Sequence, residues 1–365
     1  VERLVRHRYA LLAGLALIFW LYRLQDGSTA GGDWSKFVHA AYHVGSVQAV
    51  GVYVGPISLL AAATLAWAGV TASWIVWSAI CMALGVYSIR CVEQAAAIAL
   101  LGRARERQRA ALVGGAFLLY VWSWPAVVNG HLDDVFALTA IAVALRGVAA
   151  GRWVVVSAAF AFAFASKPWA VLVLPLAGAL RGVRIRGLAL AVGLAVLPAV
   201  PFVIAHHGHL GAEHLDLYTY PDSTLRYLGV SSGARPSWAR ALQVAVALPL
   251  GAWAIRRGRW FLVPLLAIAV RVNLDPQTST YYLTGVFLGL LVWDLSTTRL
   301  AGLRTALPCL ALLIAPSDLQ VAGFGGPWLV DAVVLMRLGL LVLALVALFQ
   351  GGSGRAGPVE PLAAG

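Results

Sequence analysis

The segment Asn129-Gly130-His131-Leu132-Asp133-Asp134 sets two adjacent carboxylates and an imidazole at the mouth of an apolar run. Acids are scarce in this chain, 15 Asp plus Glu against 27 Lys plus Arg in 365 residues. A carboxylate in or at the edge of a membrane is costly enough to mark a functional site by default. The plainer account makes the pair caps of a helix opening at Val135, where negative charge suits the positive end of the helix dipole. Capping explains one aspartate well and the second less well.

Four more groups could carry chemistry. In Gly31-Gly32-Asp33-Trp34-Ser35-Lys36-Phe37-Val38, Asp33 precedes apolar residues about one helical turn apart, the pattern of an amphipathic helix suited to a membrane interface. Asp33 would cap that helix, and a capped carboxylate stays ionised and able to act as a base. Ser166-Lys167-Pro168-Trp169 holds one of two lysines, the other being Lys36. Between apolar runs, its ammonium either meets an anion such as a lipid phosphate or snorkels to the headgroups. Leu274-Asp275-Pro276 leads through a polar loop to Tyr281-Tyr282, whose default reading is an interface belt. The loop 206–227 gathers His206, His207, His209, His214, Glu213, Asp216, Asp222 and Arg226. It lacks the two-histidine helix motif of zinc proteases, so metal binding there is the lesser reading.

The elements that must position these groups follow from composition. The chain is 61% hydrophobic and 12% charged, with mean hydropathy +0.83, against about 45–50% and about 25% for soluble domains. This predicts an all-α, polytopic transmembrane bundle: one membrane domain over 1–349, then a flexible cytoplasmic tail at 350–365. Apolar runs at 9–24, 72–101, 110–125, 135–149, 153–166, 168–180, 187–205, 238–255, 260–271, 281–295, 303–315 and 328–349 suggest about twelve spans, several of them short for a bilayer. The run 56–69 is read as an interfacial helix in the first extracytoplasmic loop. The net charge of +12 falls in arginine clusters between runs, as in cytoplasmic loops. It offers no contiguous basic groove for nucleic acid. Cys81, Cys91 and Cys309 lie in apolar runs at no metal-ligand spacing. The basic N-terminus precedes an apolar run without a small-residue cleavage site, which reads as a retained first span. Placing the arginine loops inside puts Asp33, Asp133, Asp134, Asp275 and most histidines outside.

The order of Asp33, the run 56–69, Gly130-His131-Leu132-Asp133-Asp134 and Ser166-Lys167-Pro168 resembles the GT-C superfamily of membrane glycosyltransferases. Within it, the chain looks most like the bacterial polyprenol-phosphate-mannose-dependent mannosyltransferases. The resemblance covers about residues 1–200, and the Gly-Gln turn common in that group is Gly130-His131 here. It implies inverting glycosyl transfer, mannosyl first, from a polyprenyl-phosphate sugar donor to a lipid or glycan acceptor. The site would face outward from a bacterial plasma membrane. By this resemblance Asp33 is the catalytic base, and Asp133, Asp134 and His131 bind the acceptor. Lys167, with Arg226 or Arg271 as second choice, binds the donor phosphate. No metal is required, although the aspartate pair is compatible with a divalent cation. The rival reading is a transporter or flippase of a lipid-linked or anionic substrate. That class usually shows inverted repeats and broken mid-bilayer helices, whereas no repeat is evident here and the acids lie at one surface rather than the midplane. A non-catalytic scaffold would leave the outer acids unexplained.

Overall fold

A computed structural model describes residues 2–25, 34–42, 55–99, 104–180, 218–220, 223–277, 280–297, 302–313 and 327–349, with isolated positions between 187 and 197. The described residues are all-helical, with no strand among them. In chain order the helices are α1 (Glu2–Arg6), α2 (Arg8–Gln25), α3 (Trp34–Tyr42), α4 (Pro56–Leu65), α5 (Val70–Ala99), α6 (Ala104–Ser123), α7 (Leu132–Ala149) and α8 (Trp153–Ser166). A 3-10 segment (Pro168–Ala179) follows, then α9 (Thr224–Tyr227), α10 (Trp238–Arg256), α11 (Val263–Leu274), α12 (Leu283–Thr297), α13 (Leu303–Leu313) and α14 (Pro327–Phe349).

Four described helices are long and apolar enough to cross a membrane: Val70–Ala99, Ala104–Val128, Trp238–Arg256 and Asp331–Phe349. Trp153–Ser166, Trp260–Leu274 and Leu283–Thr297 are apolar but shorter. The run 168–180, expected as a crossing, is a 3-10 segment of 12 residues with Pro175 inside it. Pro168 and Pro175 each remove a backbone donor, and the segment reaches only about 24 Å at about 2.0 Å per residue. The bilayer core is about 30 Å thick. Pro56–Ala68 is likewise too short to cross, and it ends where Gly69 adopts φ 83. The expected span 187–205 lies largely outside the described residues, and the tail 350–365 wholly so.

Helix α7 is the centre of the bundle. It is apolar on all sides and rich in alanine, and nearly every residue from Leu132 to Ala149 is buried, as befits a helix enclosed by others. Small residues let the surrounding helices close in: a Cβ on Gly289 of α12 would lie 2.7 Å from Leu265 Cα of α11. The two ends of the bundle differ in charge. At one end Arg8 forms a two-pronged ion pair with Glu93, Arg105 meets Glu2 at 3.3 Å, and Arg259 donates to the Ala347 carbonyl. The opposite end collects carboxylates and aromatic rings.

Candidate functional site

The aspartate pair is aimed by an irregularity in the preceding helix. Beyond Ser123, α6 widens into one π-helical turn, Trp124–Val128, a feature that recurs at functional sites. Pro125 has no N–H, so the Val121 carbonyl loses its helical donor. The Thr284 hydroxyl of α12 donates to it instead, at 3.3 Å. Asn129 N donates to the Trp124 carbonyl at 2.9 Å and His131 N to the Pro125 carbonyl at 2.8 Å. Gly130, at φ 66, then turns the chain through a left-handed conformation that favours glycine. Arg23 steadies this turn, its guanidinium carbon 4.5 Å from the Trp124 ring centre. His131 thus stands at the start of α7 with Asp133 and Asp134 in the first turn. The helix opens at Leu132 rather than Val135 and no side chain caps it; within its first turn Asp133 Oδ1 accepts the Asp134 N–H at 2.9 Å.

The end of α8 faces this turn. Lys167 is extended (φ −150, ψ 120) before Pro168, which bars the helical conformation to the residue it follows. Its ammonium forms an ion pair with Asp133 and lies 3.2 Å from Asp134 Oδ2. Trp169 Nε1 donates to Asp134 Oδ1 at 2.8 Å. Gly55 lies against the same end, its N–H donating to the Ser166 carbonyl at 2.9 Å. From α11, Arg271 Nη1 lies 3.8 Å from Asp134 Oδ1 and its Nε 3.8 Å from Asp275 Oδ2. The guanidinium carbon lies 4.6 Å from the Trp169 ring centre and 4.2 Å from that of Tyr282. His131 stacks on Tyr281 with centroids 4.2 Å apart, and its Nδ1 is 3.3 Å from Asp133 Oδ1. Asp133, Asp134, Lys167, Arg271 and Asp275 are all buried.

Charge divides the site into two halves. Asp133, Asp134 and Lys167 sum to one negative charge. Asp275, Arg271 and the partly exposed Arg240, 3.9 Å from Asp275 Oδ2, sum to one positive charge. Asp134 Oδ2, Asp275 Oδ2 and Arg271 Nε are buried and make ion-pair approaches without an aligned hydrogen bond. Such groups are costly in a low-dielectric interior and are the ones a ligand would satisfy. The carboxylate half suits hydroxyl groups, which donate to carboxylates. The arginine half suits a phosphate, which a planar guanidinium can bind through two bonds.

No protein-family model matches this sequence, and no curated protein is a significant match. The chemistry of the site rests on its geometry.

The structure brings together His131, Asp133, Asp134, Lys167 and Arg271 from three parts of the sequence. Lys167, expected to meet a phosphate or the headgroups, is instead buried against the aspartates, because the π-turn aims them at the end of α8. Arg226 is exposed on α9, a short helix whose Thr224 hydroxyl donates to Asn273 Oδ1 of α11 at 3.2 Å. No described contact joins Arg226 to the cluster. Asp33 lies outside the described residues, as do His206, His207, His209, Glu213, His214, Asp216 and Asp222. The helix that begins at Trp34 reaches the site, with Phe37 edge-on to His131 at 6.4 Å. Trp169, Asp275, Tyr281 and Tyr282, which the sequence placed beside candidate groups without a role in the site, also join it. Their signal was adjacency: Trp169 follows the Lys-Pro step, and Asp275 lies four residues beyond Arg271, one turn along a helix.

His131, Asp133 and Asp134 each offer a ligand atom within 4.8 Å of the others, a set able to hold a divalent cation. Lys167 already contacts both carboxylates, so a metal would have to displace the ammonium. The donor set fits an internal cation better than a metal.

Proposed function

We propose that this protein transfers a hexose, mannose first, from a polyprenyl-phosphate sugar to a hydroxyl of a lipid or glycan acceptor, with inversion. The observation that carries the proposal is the buried site with a carboxylate half and an arginine half at one end of an apolar helical bundle. An acceptor hydroxyl held by Asp133 and Asp134 attacks the anomeric carbon. The new C–O bond forms as the anomeric carbon–phosphate oxygen bond breaks, and the hydroxyl proton passes to a carboxylate base. The resemblance gives that role to Asp33, and the contact of Phe37 with His131 supports it. Polyprenyl phosphate leaves with its negative charge against Arg271, a donor fixed before the reaction and therefore effective in a water-poor site. Lys167 holds and orients the aspartate pair, a change from the phosphate-binding role that the resemblance implied.

The helical bundle supports a GT-C-like architecture. The separation of the arginine end from the carboxylate end supports an orientation with arginines in the cytoplasm and the site outside a bacterial plasma membrane. The membrane supplies both the donor and the surrounding lipid. The test is transfer from polyprenyl-phosphate-mannose by purified protein, with Asp33→Asn and Arg271→Gln beside wild type. Wild type should transfer and both variants should lose at least about a hundredfold, as expected for loss of a base or of an electrostatic donor. A folded wild type that transfers no sugar from any polyprenyl-phosphate donor refutes the proposal.

A further inference from the structure

On the outer face of the bundle, a groove of about 250 Å³ lies between α5, α7 and α8. Helix α7 supplies Phe136, Thr139, Ala140 and Val143, α8 supplies Ala159 and Phe162, and α5 closes the third side with Leu84. Helix α7 is otherwise almost inaccessible, with Val135, Ala137, Ile141, Ala142 and Ala144 fully buried. What surface it offers between 135 and 144 is concentrated on those four groove residues. Phe162 is 39% exposed, so the groove opens sideways, toward lipid in a membrane. The one hydroxyl in it, that of Thr139, meets the Ser88 hydroxyl at 3.2 Å. The groove is therefore dry and apolar.

It leads to the carboxylate half of the site. Asp133, Phe136, Ala140 and Val143 follow one another at i, i+3, i+7 and i+10 along one stripe of α7. Ala159, Phe162 and Ser166 do the same along α8, and Lys167 is the next residue. Side chains at those spacings share a helix face. At about 1.5 Å per residue the stripe runs about 15 Å from Val143 to Asp133. Alanines at 140 and 159 keep it open where larger residues would fill it. At this volume the groove takes a stretch of one hydrocarbon chain rather than a whole lipid.

We infer that the groove seats the hydrocarbon chain of a lipid whose hydroxyl-bearing headgroup is held by Asp133 and Asp134. The donor set selects the headgroup. The half of the site that the groove reaches offers the Asp133 and Asp134 carboxylates, which accept from hydroxyl donors and oppose the oxygens of a phosphate. Resting on the proposed transfer reaction, this lipid is the acceptor, and the donor phosphate enters from the Arg271 side.

The test is photolabelling in phospholipid nanodiscs with an alkyl glycoside carrying a mid-chain diazirine. Label is expected on the peptides containing Phe136–Val143 and Ala159–Phe162. Ala140→Phe should reduce it at least tenfold, and an alkyl phosphate of equal chain length should not compete. The milder Ala159→Leu gives a second reading should Ala140→Phe fail to fold. Label elsewhere, label indifferent to a folded groove variant, or equal competition by the alkyl phosphate or a diacyl phospholipid overturns the inference. The last outcome would mark ordinary annular lipid. Transfer assays separate this result from the proposed reaction. Groove labelling without sugar transfer keeps the lipid seat and removes the reaction; transfer without groove labelling does the reverse.

Discussion

Replacing Lys167 by methionine keeps much of the side-chain volume and removes the charge. In the structure the ammonium meets Asp133, which is fully buried, and lies 3.2 Å from Asp134 Oδ2. At an effective dielectric constant of about 20, the Asp134 contact alone, at 3.2 Å, corresponds to about 5 kcal/mol of Coulomb attraction, before the desolvation of both partners is subtracted. Measured losses on breaking one side of a buried pair are about 3–5 kcal/mol, because a charge is left buried without its partner. Asp133 keeps the Asp134 N–H at 2.9 Å and His131 Nδ1 at 3.3 Å, and Asp134 keeps Trp169 at 2.8 Å. These place the expected cost near the lower end, about 3 kcal/mol. The assay is equilibrium unfolding in mixed micelles followed by tryptophan fluorescence, as a cycle of Lys167→Met, Asp133→Asn and the double variant. The double variant should be less destabilised than the sum of the singles, with a coupling of about 1.5 kcal/mol or more. A Lys167→Met protein within about 0.5 kcal/mol of wild type, or an additive cycle, would refute the view that these groups form a buried ionic unit.

Arg271→Lys should lower transfer at least about tenfold, because an ammonium cannot keep the stacking between Trp169 and Tyr282 while offering two parallel donors; unchanged transfer counts against Arg271 as the phosphate ligand. Gly55→Ala should cost about 1–3 kcal/mol of stability, since the added Cβ would lie 2.0 Å from the Ala165 carbonyl oxygen and 2.4 Å from that of Ser166; the same unfolding assay reads it. A cysteine placed at Arg105, whose side chain is 79% exposed at the arginine end, should react with an impermeant maleimide only after cells are permeabilised. Labelling in intact cells would reverse the proposed orientation.

The sequence carried the helices further than it carried the site. The run 153–166 coincides with α8, and 72–101 differs from α5 by two residues at each end, because continuous hydrophobicity needs no partner to be read. The stretch 168–180 reads as a regular span and is a 3-10 segment instead, since hydropathy is blind to the backbone donors that Pro168 and Pro175 remove. Asp133, Asp134 and Lys167 stood out because acids and lysines are rare here. Their pairing did not, because it joins residues 34 positions apart and depends on a helix irregularity whose only trace is Pro125 and Gly130. Arg226 has the charge for the role and sits exposed on a helix bonded to α11 at Asn273, with no described contact to the cluster. Asp275 and Tyr282 had the right place, which only the packing of α11 against the Pro168–Ala179 segment reveals.

The π-turn at Trp124–Val128 makes the site depend on residue count as well as residue type. Each residue of an α-helix advances the chain by about 100°. Deleting one residue, Ala126 for example, would restore regular winding and swing the His131 turn about that far around the helix axis. Asp133 would then point away from Lys167 while every side chain named here was still present. Substitution scans cannot find such a lesion, whereas a single-codon deletion scan would. Chains that share this bundle but lack the extra residue would keep the helices and lose the charged cluster, so length at this one turn separates a working site from a bare scaffold.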